Sequence, residues 1–126
     1  ENGLKDASCE LKKGIIAFSP LAQGLLTDRY LNGIPSDSRI AKDGRFLNES
    51  SLTPGRLSQL HALNELAAKR GQTLAGMALS WVLKDKKVTS VLIGASKPEQ
   101  ITENLSILGH TDFTAQELQK IDDIVG

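Results

Sequence analysis

The fold is decided by one stretch of the chain, residues 88–100, which read VTSVLIGASKPEQ. The first six residues form a short apolar run with only two small polar members, and this pattern predicts a strand over 88–93 that is buried on both faces. The glycine and alanine that follow predict a tight turn. The S-x-x-E spacing from Ser96 to Glu99 then predicts a capping box at the start of a helix.

A second buried strand is predicted at residues 15–18, where the apolar run IIAF is closed by a proline. Strands that alternate with helices predict an α/β fold with a parallel sheet. Two strands leave an unpaired edge on each side and cannot cover both of their apolar faces. We therefore expect residues 1–126 to form a single partial domain, incomplete as an isolated chain. Because Glu1 falls inside what reads as the second half of a helix, we also expect that truncation or processing removed what came before.

The connection between the two strands is predicted to contain a long loop and then two helices. Glycines, prolines and small polar residues predict an irregular loop over residues 21–54. Thr53 as N-cap, with a proline at the first helical position, begins the next helix, and Thr73 begins another. After the second strand, one helix is predicted to continue to Leu108, and a capping box at Thr114 begins the last helix.

The composition excludes several function classes. Fifteen basic and fifteen acidic side chains cancel, whereas nucleic acid and anionic membranes attract an excess of Lys and Arg, so neither is predicted as a partner. A single cysteine, Cys9, rules out an intramolecular disulfide and predicts a reducing, cytoplasmic location. No apolar run approaches the roughly 20 residues that span a bilayer. The ligand spacings of a zinc site do not occur, so no metal is predicted.

Two segments follow directly on the predicted strands and are candidates for a binding site. Residues 94–100 combine a glycine with a helix N-terminus, whose N–H groups and positive dipole end attract anions. Lys97 adds a full charge and Ser96 a hydroxyl; the alternative interpretation is a helix cap beside a solvated lysine. Residues 19–24, SPLAQG, are by themselves ordinary turn chemistry. Finding both segments after strands favours a site, because phosphates in α/β barrels often lie over the last two loops.

The chain resembles the aldo-keto reductases in two separated stretches, GIIAFSPLAQGLLTDRYLNGIP at residues 14–35 and SVLIGASKPEQITENL at 90–105. The nearest branch contains bacterial glyceraldehyde-3-phosphate reductase-like enzymes and the beta subunits of potassium channels. The likeness covers nearly the whole chain, from about Leu4 onwards. It implies the C-terminal part of a (β/α)8 TIM barrel, in which residues 15–18 form strand seven and residues 88–93 form strand eight.

The resemblance also implies a cofactor, NADPH/NADP+, held by the loops after these two strands. The loop after strand seven would cover the pyrophosphate, and the segment after strand eight would hold the 2′-phosphate and the adenine. Relatives often have a glycine where this chain has Asp28, a carboxylate that needs a neighbouring arginine beside a pyrophosphate. The implied cofactor-binding residues are Phe18, Ser19, Pro20, Leu21, Gly24, Thr27, Arg29, Arg39, Gly94, Ser96, Lys97, Gln100, Glu103 and Asn104.

For the intact parent the resemblance implies reduction of aldehydes or ketones by hydride transfer from the nicotinamide. The family's catalytic Asp, Tyr, Lys and His lie on the first strands of the barrel, upstream of anything present here, so no catalytic residue is predicted. Tyr30, the only tyrosine, falls in the loop after strand seven. We expect the isolated chain to be inactive, with a small carbonyl substrate only in the intact parent. Two alternatives stay open: a non-catalytic nicotinamide-binding module like the channel beta subunits, and a structural fragment that self-associates through exposed strand edges.

Overall fold

The computed structural model describes residues 3–35 and 52–126. In this part of the chain, five α-helices and two strands follow one another in the order α1, β1, α2, α3, β2, α4, α5. Two short 3₁₀ helices, Ala22–Gly24 and Asp28–Tyr30, lie after β1. The bounds of the main elements are Leu4–Glu10 (α1), Ile16–Phe18 (β1), Pro54–Lys69 (α2), Leu74–Leu83 (α3), Ser90–Leu92 (β2), Pro98–Leu105 (α4) and Ala115–Val125 (α5).

The predicted starts of α2, α3 and α5 are confirmed by their side-chain caps. The hydroxyl oxygens of Thr53 and Thr73 each accept the backbone N–H three residues further on, at 3.2 and 3.0 Å. In α5 the cap is reciprocal: the Glu117 N–H donates to Thr114 Oγ1 at 3.2 Å, and the Thr114 N–H donates to the Glu117 carboxylate at 2.7 Å. These caps satisfy N–H groups that have no partner inside the helix.

The start of α4 differs from the prediction. Its N-cap is Lys97, not Ser96, and Pro98 is the first helical residue. The side chain that reaches back to the cap belongs to Gln100 rather than Glu99, and its carbonyl oxygen accepts the N–H groups of Ser96 at 2.8 Å and Lys97 at 3.3 Å. The capping box predicted for Ser96 and Glu99 is therefore wrong, because the proline at the first helical position moves the whole cap one residue along.

Two further differences lie after β2. Gly94 and Ala95 have irregular backbone instead of the predicted tight turn. Helix α4 ends at Leu105, three residues earlier than predicted. The chain then bends through turn hydrogen bonds, and Gly109 has a left-handed φ of 94°, which a continuing helix cannot include.

The two strands form a parallel pair with Phe18 opposite Leu92. The prediction that both faces are buried is wrong, because Ile16, Phe18 and Leu92 are 64%, 79% and 58% exposed. Side chains alternate across a sheet, and the middle residues of the two strands, Ala17 and Val91, are half-buried. Helix α3 packs against β2, but within residues 3–35 and 52–126 the other face of the pair has no covering layer.

The hydrophobic core lies between α2, α3 and α5. It contains the leucines at positions 60, 63 and 66, together with Leu74, Met77 and Ile121. The buried residues of α2 recur at three- and four-residue steps, which places them on one face of the helix. Burying such a side chain contributes about 1.5–3 kcal/mol relative to leaving it in water. Among the described residues, no helix is both long and apolar enough to cross a membrane.

Candidate functional site

The parallel pairing brings the two candidate segments to the same edge of the sheet. Because Phe18 and Leu92 are paired at the ends of β1 and β2, residues 19–24 and 93–97 both leave from the C-terminal edge. Ligand sites of α/β proteins gather at this edge, where loops and helix N-termini meet. Two segments about seventy residues apart in the sequence therefore begin side by side in the fold.

A cluster of hydrogen-bond donors converges on one oxygen at the start of α4. Gln100 Oε1 accepts the Ser96 N–H at 2.8 Å, the Ser96 hydroxyl at 3.2 Å and the Lys97 N–H at 3.3 Å. All three donors belong to exposed residues. We call Ser96, Lys97 and Gln100 the α4 cradle. It shows that backbone and hydroxyl donors at this edge point to a single acceptor position.

The α4 cradle has the chemistry of an anion site. The positive end of the helix dipole adds to the three donors, and Lys97, the N-cap residue, is exposed. An acceptor oxygen of a phosphate fits this donor set, since phosphate oxygens accept bonds from backbone N–H and hydroxyl groups at helix N-termini. The donor set thus fits one acceptor oxygen of an anion, and in this structure Gln100 Oε1 takes that position.

Further along α4, the two remaining predicted residues differ in accessibility. Glu103 is exposed, whereas Asn104 is only 9% exposed. Residues three and four apart share a helix face, so Gln100, Glu103 and Asn104 lie on one side of α4. On this face Glu103 is open to solvent, whereas little of the predicted residue Asn104 is accessible.

The loop after β1 has an unusual backbone. Ser19, Ala22 and Gln23 have φ angles of 51°, 47° and 62°, and Gly24 follows with 96°. A non-glycine residue costs about 1–2 kcal/mol in the left-handed region. Such conformations persist only where the surroundings hold them, and they gather at functional sites. Short turn bonds help here, with the Ala22 N–H donating to Ser19 O at 3.1 Å and the Gly24 N–H to Leu21 O at 2.9 Å.

Thr27 and Tyr30 support this loop from its C-terminal side. The Thr27 hydroxyl donates to Gly24 O at 2.7 Å and accepts the Arg29 N–H at 3.3 Å. Tyr30 is 1% exposed, and a Cβ built on Gly24 would lie 3.8 Å from its ring. Sequence reasoning did not find this burial, because nothing local distinguishes an inward tyrosine from an outward one.

The other predicted residues are placed as follows. Phe18 ends β1 with its ring on the open face of the sheet, while Arg29 and Asp28 lie exposed on the second 3₁₀ helix. Arg39 lies outside the described residues. Residues 18–29 are thus placed around the end of β1, and residues 94–104 around the end of β2 and along α4.

Shifted pKa values occur away from this edge. The Thr114 N–H, with a smaller contribution from Arg70, lowers the pKa of Glu117. A hydrogen bond from Lys5 lowers the pKa of Asp85. A hydrogen bond to Asp6 raises the pKa of Lys87. These groups belong to a helix cap and to ion pairs that join α1 to the α3–β2 connection, so the shifts reflect structure rather than proton transfer.

The chain belongs to the aldo/keto reductase family, whose profile matches residues 1–125. The L-glyceraldehyde 3-phosphate reductase of Escherichia coli K12 is 53% identical over 125 residues, which are 97% of this chain and 36% of that protein. A putative voltage-gated potassium channel subunit beta of Schizosaccharomyces pombe is 38% identical over 116 residues, 89% of this chain and 34% of that protein. Both branches named from the sequence are therefore confirmed.

Solved structures agree with this assignment. A glycerol dehydrogenase from Gluconobacter oxydans superposes with a TM-score of 0.75 at 26% identity, covering 97% of this chain and 37% of that one. The fold is thus part of a TIM-barrel-type α/β fold. The chain spans about a third of the length of the curated relatives it matches.

Proposed function

We propose that the chain is the C-terminal part of a (β/α)8 barrel, with β1 and β2 as strands seven and eight, and that it binds NADPH across their C-terminal edge. The intact protein would reduce aldehydes or ketones by hydride transfer. Membership of the aldo/keto reductase family supports this proposal. The parallel order of the two strands supports it as well, because it places both candidate loops at one edge.

The observation that carries the proposal is the α4 cradle. Three donors within 3.3 Å of one oxygen leave an acceptor position that a phosphate oxygen can take when the Gln100 side chain turns away. Hydrogen bonds to a charged acceptor are roughly twice as strong as those to a neutral one. Exchange of the amide oxygen for a phosphate oxygen therefore strengthens each of these three bonds, and Lys97 adds an ion pair.

Each part of the edge has a role in this proposal. The bound cofactor supplies the hydride. Ser96 and Lys97 hold its 2′-phosphate, the loop over residues 19–24 lies against its pyrophosphate, and the Phe18 ring packs on the nicotinamide. Phe18 is 79% exposed, so a ring face is available for offset stacking.

We further propose that this chain by itself does not reduce carbonyls. A general acid must reach the oxygen that it protonates, and Tyr30, the one tyrosine of the sequence, is 1% exposed. Its phenol therefore cannot approach a bound carbonyl. NADPH oxidation with glyceraldehyde 3-phosphate should stay at the level of a protein-free control, and sustained turnover would contradict the proposal.

Titration of NADPH fluorescence tests the binding itself. Lys97→Ala should weaken NADPH about tenfold, the equivalent of one charge-assisted hydrogen bond of roughly 1.4 kcal/mol. The affinity for NADH, which lacks the 2′-phosphate, should not change. Lys120→Ala, which removes an exposed lysine from α5, is the matched control. No saturable NADPH binding by the unchanged chain would refute the function.

A second candidate is a non-catalytic module that binds nicotinamide dinucleotide. It is favoured by the 38% identity to a putative potassium channel subunit beta. The two candidates share the binding edge and differ in turnover by the intact protein. Glyceraldehyde 3-phosphate reduction by the intact protein would decide for the reductase, and tight NADPH binding without turnover would decide for the module.

A third candidate is self-association, favoured by the exposed apolar residues Ile16, Phe18 and Leu92 on one face of the strand pair. Burying three such side chains between copies would contribute several kcal/mol, about 1.5–3 kcal/mol for each. Light scattering tests it. A concentration-dependent mass that Phe18→Ser abolishes would support self-association, and a monomer at all concentrations would exclude it.

A cytoplasmic location completes the proposal. Cys9 has a free, exposed thiol, and cytosolic reductants keep such thiols reduced. Recovery of the intact protein in the soluble cytosolic fraction of its cell would support this location, and recovery from a secreted or periplasmic fraction would contradict it.

A further inference from the structure

The Thr27 hydroxyl both donates and accepts a hydrogen bond within the chain. It donates its one proton to Gly24 O at 2.7 Å, and its oxygen accepts the Arg29 N–H at 3.3 Å. A hydroxyl has a single proton to donate. In this geometry Thr27 therefore has no donor left for a ligand, although it belongs to the residues that the family resemblance assigned to the cofactor.

Thr27 holds a run of consecutive residues with positive φ angles. Ala22, Gln23 and Gly24 follow one another with φ angles of 47°, 62° and 96°. A left-handed stretch of this kind has no intrinsic preference for its shape, so bonds from outside must hold it. The bond to Gly24 O fixes the peptide plane at the end of this stretch.

The second bond ties the loop to a cation. The Arg29 N–H that bonds to Thr27 belongs to the second 3₁₀ helix, Asp28–Tyr30, whose N-cap is Thr27. One hydroxyl thus links the ends of two 3₁₀ helices. It sets the point from which the Arg29 side chain leaves the backbone relative to the loop after β1.

We propose that Thr27 is a positioning residue, which holds residues 22–24 and the start of Arg29 in the arrangement that binds the pyrophosphate of the dinucleotide. The proposal rests on the NADPH-binding function proposed above. It assigns Thr27 to the shape of the loop and not to direct contact with the ligand. The β-branched side chain suits this role, because its χ1 angle is restricted and keeps the hydroxyl aimed at both partners.

The experiment compares Thr27→Val, which keeps the shape and removes the hydroxyl, with Thr27→Ser, which keeps the hydroxyl. Each variant of the full chain is titrated with NADPH and with adenosine 2′,5′-bisphosphate, a probe that has the 2′-phosphate but only the adenosine half of the dinucleotide. Thr27→Val should weaken NADPH about tenfold, because two local hydrogen bonds are lost. Its affinity for the bisphosphate should stay within about twofold of the unchanged chain, since the α4 cradle is untouched. Thr27→Ser should restore NADPH binding.

The outcomes separate this inference from the function on which it rests. Unchanged NADPH affinity in Thr27→Val would overturn the positioning role and leave the binding function standing. Equal weakening of both ligands would also overturn it, because that result means general loss of structure. No binding of either ligand by the unchanged chain would overturn both. If Thr27→Val loses its helical circular dichroism, Thr27→Ala takes its place, and equal NADPH affinity of the Ala and Ser variants would then contradict the role.

Discussion

Replacing Gln100 with glutamate should make the chain more stable and at the same time a weaker binder of NADPH. The side chain already reaches the three donors of the α4 cradle at 2.8–3.3 Å. Gln100→Glu keeps the shape of the side chain and puts a negative charge where those donors converge. The same charge occupies the position that the proposal gives to a phosphate oxygen.

The expected magnitudes follow from the geometry. A carboxylate strengthens the bonds to the three donors and meets the positive end of the helix dipole, and the dipole effect alone is worth about 0.3–1 kcal/mol at an exposed site. We expect a net gain of about 1 kcal/mol, or about 4 °C in melting temperature for a domain of this size. The new carboxylate repels a bound phosphate, and two unit charges about 4 Å apart interact by about 1 kcal/mol in water. NADPH should therefore bind about tenfold more weakly or worse.

Urea unfolding and NADPH titration measure the two effects on the same sample. Gln116→Glu is the matched control: it adds the same charge in the first turn of α5, where Glu117 already accepts the N–H of the cap. It should give a smaller gain and no change in affinity. The stability gain of Gln100→Glu should vanish below about pH 3, where a carboxylate is protonated. Lower stability of Gln100→Glu at pH 7 would show that the three donors do not converge as described, and higher NADPH affinity would refute the cradle as a phosphate site.

Three other predictions concern stability. Arg70→Met should destabilise the fold by about 3 kcal/mol in urea unfolding, because Arg70 is paired with Glu117 at 2.7 Å and lies 3.8 Å from the centre of the Phe113 ring; Arg70→Lys should recover less than half. The Thr114 N–H and then Arg70 lower the pKa of Glu117 below its usual 4.5. The stability that the charged carboxylate contributes is therefore present above that pH and is lost as the pH falls through the pKa of the folded state. In Glu117→Gln, the free energy of unfolding should fall less steeply at acid pH. Gln23→Gly should stabilise the chain by about 0.5–1 kcal/mol, because glycine relieves a φ of 62°; lower stability would mean that the Gln23 side chain supports the loop.

The helix starts could be predicted because their signals are local. Thr53, Thr73 and Thr114 cap helices by bonds that reach only three residues along the chain, and a hydroxyl in that position is enough to make them. The start of α4 lies one residue beyond the prediction from the S-x-x-E pattern, because Pro98 is the first helical residue. A proline at the first helical position makes the preceding residue the N-cap. Gln100, and not Glu99, is therefore the third helical residue.

The burial of the strands could not be predicted in the same way. An apolar run shows that a strand has something to bury, but whether both faces are covered depends on elements far away in the sequence. Ile16 and Phe18 are exposed although the sequence around them is that of a buried strand. The burial of Tyr30, which is 1% exposed, could not be predicted either, because a tyrosine in a glycine-rich connection carries no local signal of its surroundings.

In the candidate site, the shape of each loop depends on nearby residues, whereas the distance between the loops depends on residues far apart in the sequence. The loop after β1 and the α4 cradle are each held by bonds between residues two to four apart, namely Thr27 to Gly24, Arg29 to Thr27, and Ser96 and Lys97 to Gln100. Their shapes therefore follow from nearby sequence and do not need the rest of a barrel. The distance between the two loops depends instead on residues far apart in the sequence, because it is set by the pairing of two three-residue strands. A dinucleotide that must contact both loops depends on that separation, so a ligand limited to one loop should bind this chain nearly as well as it binds an intact barrel, whereas NADPH should bind the chain more weakly than the barrel.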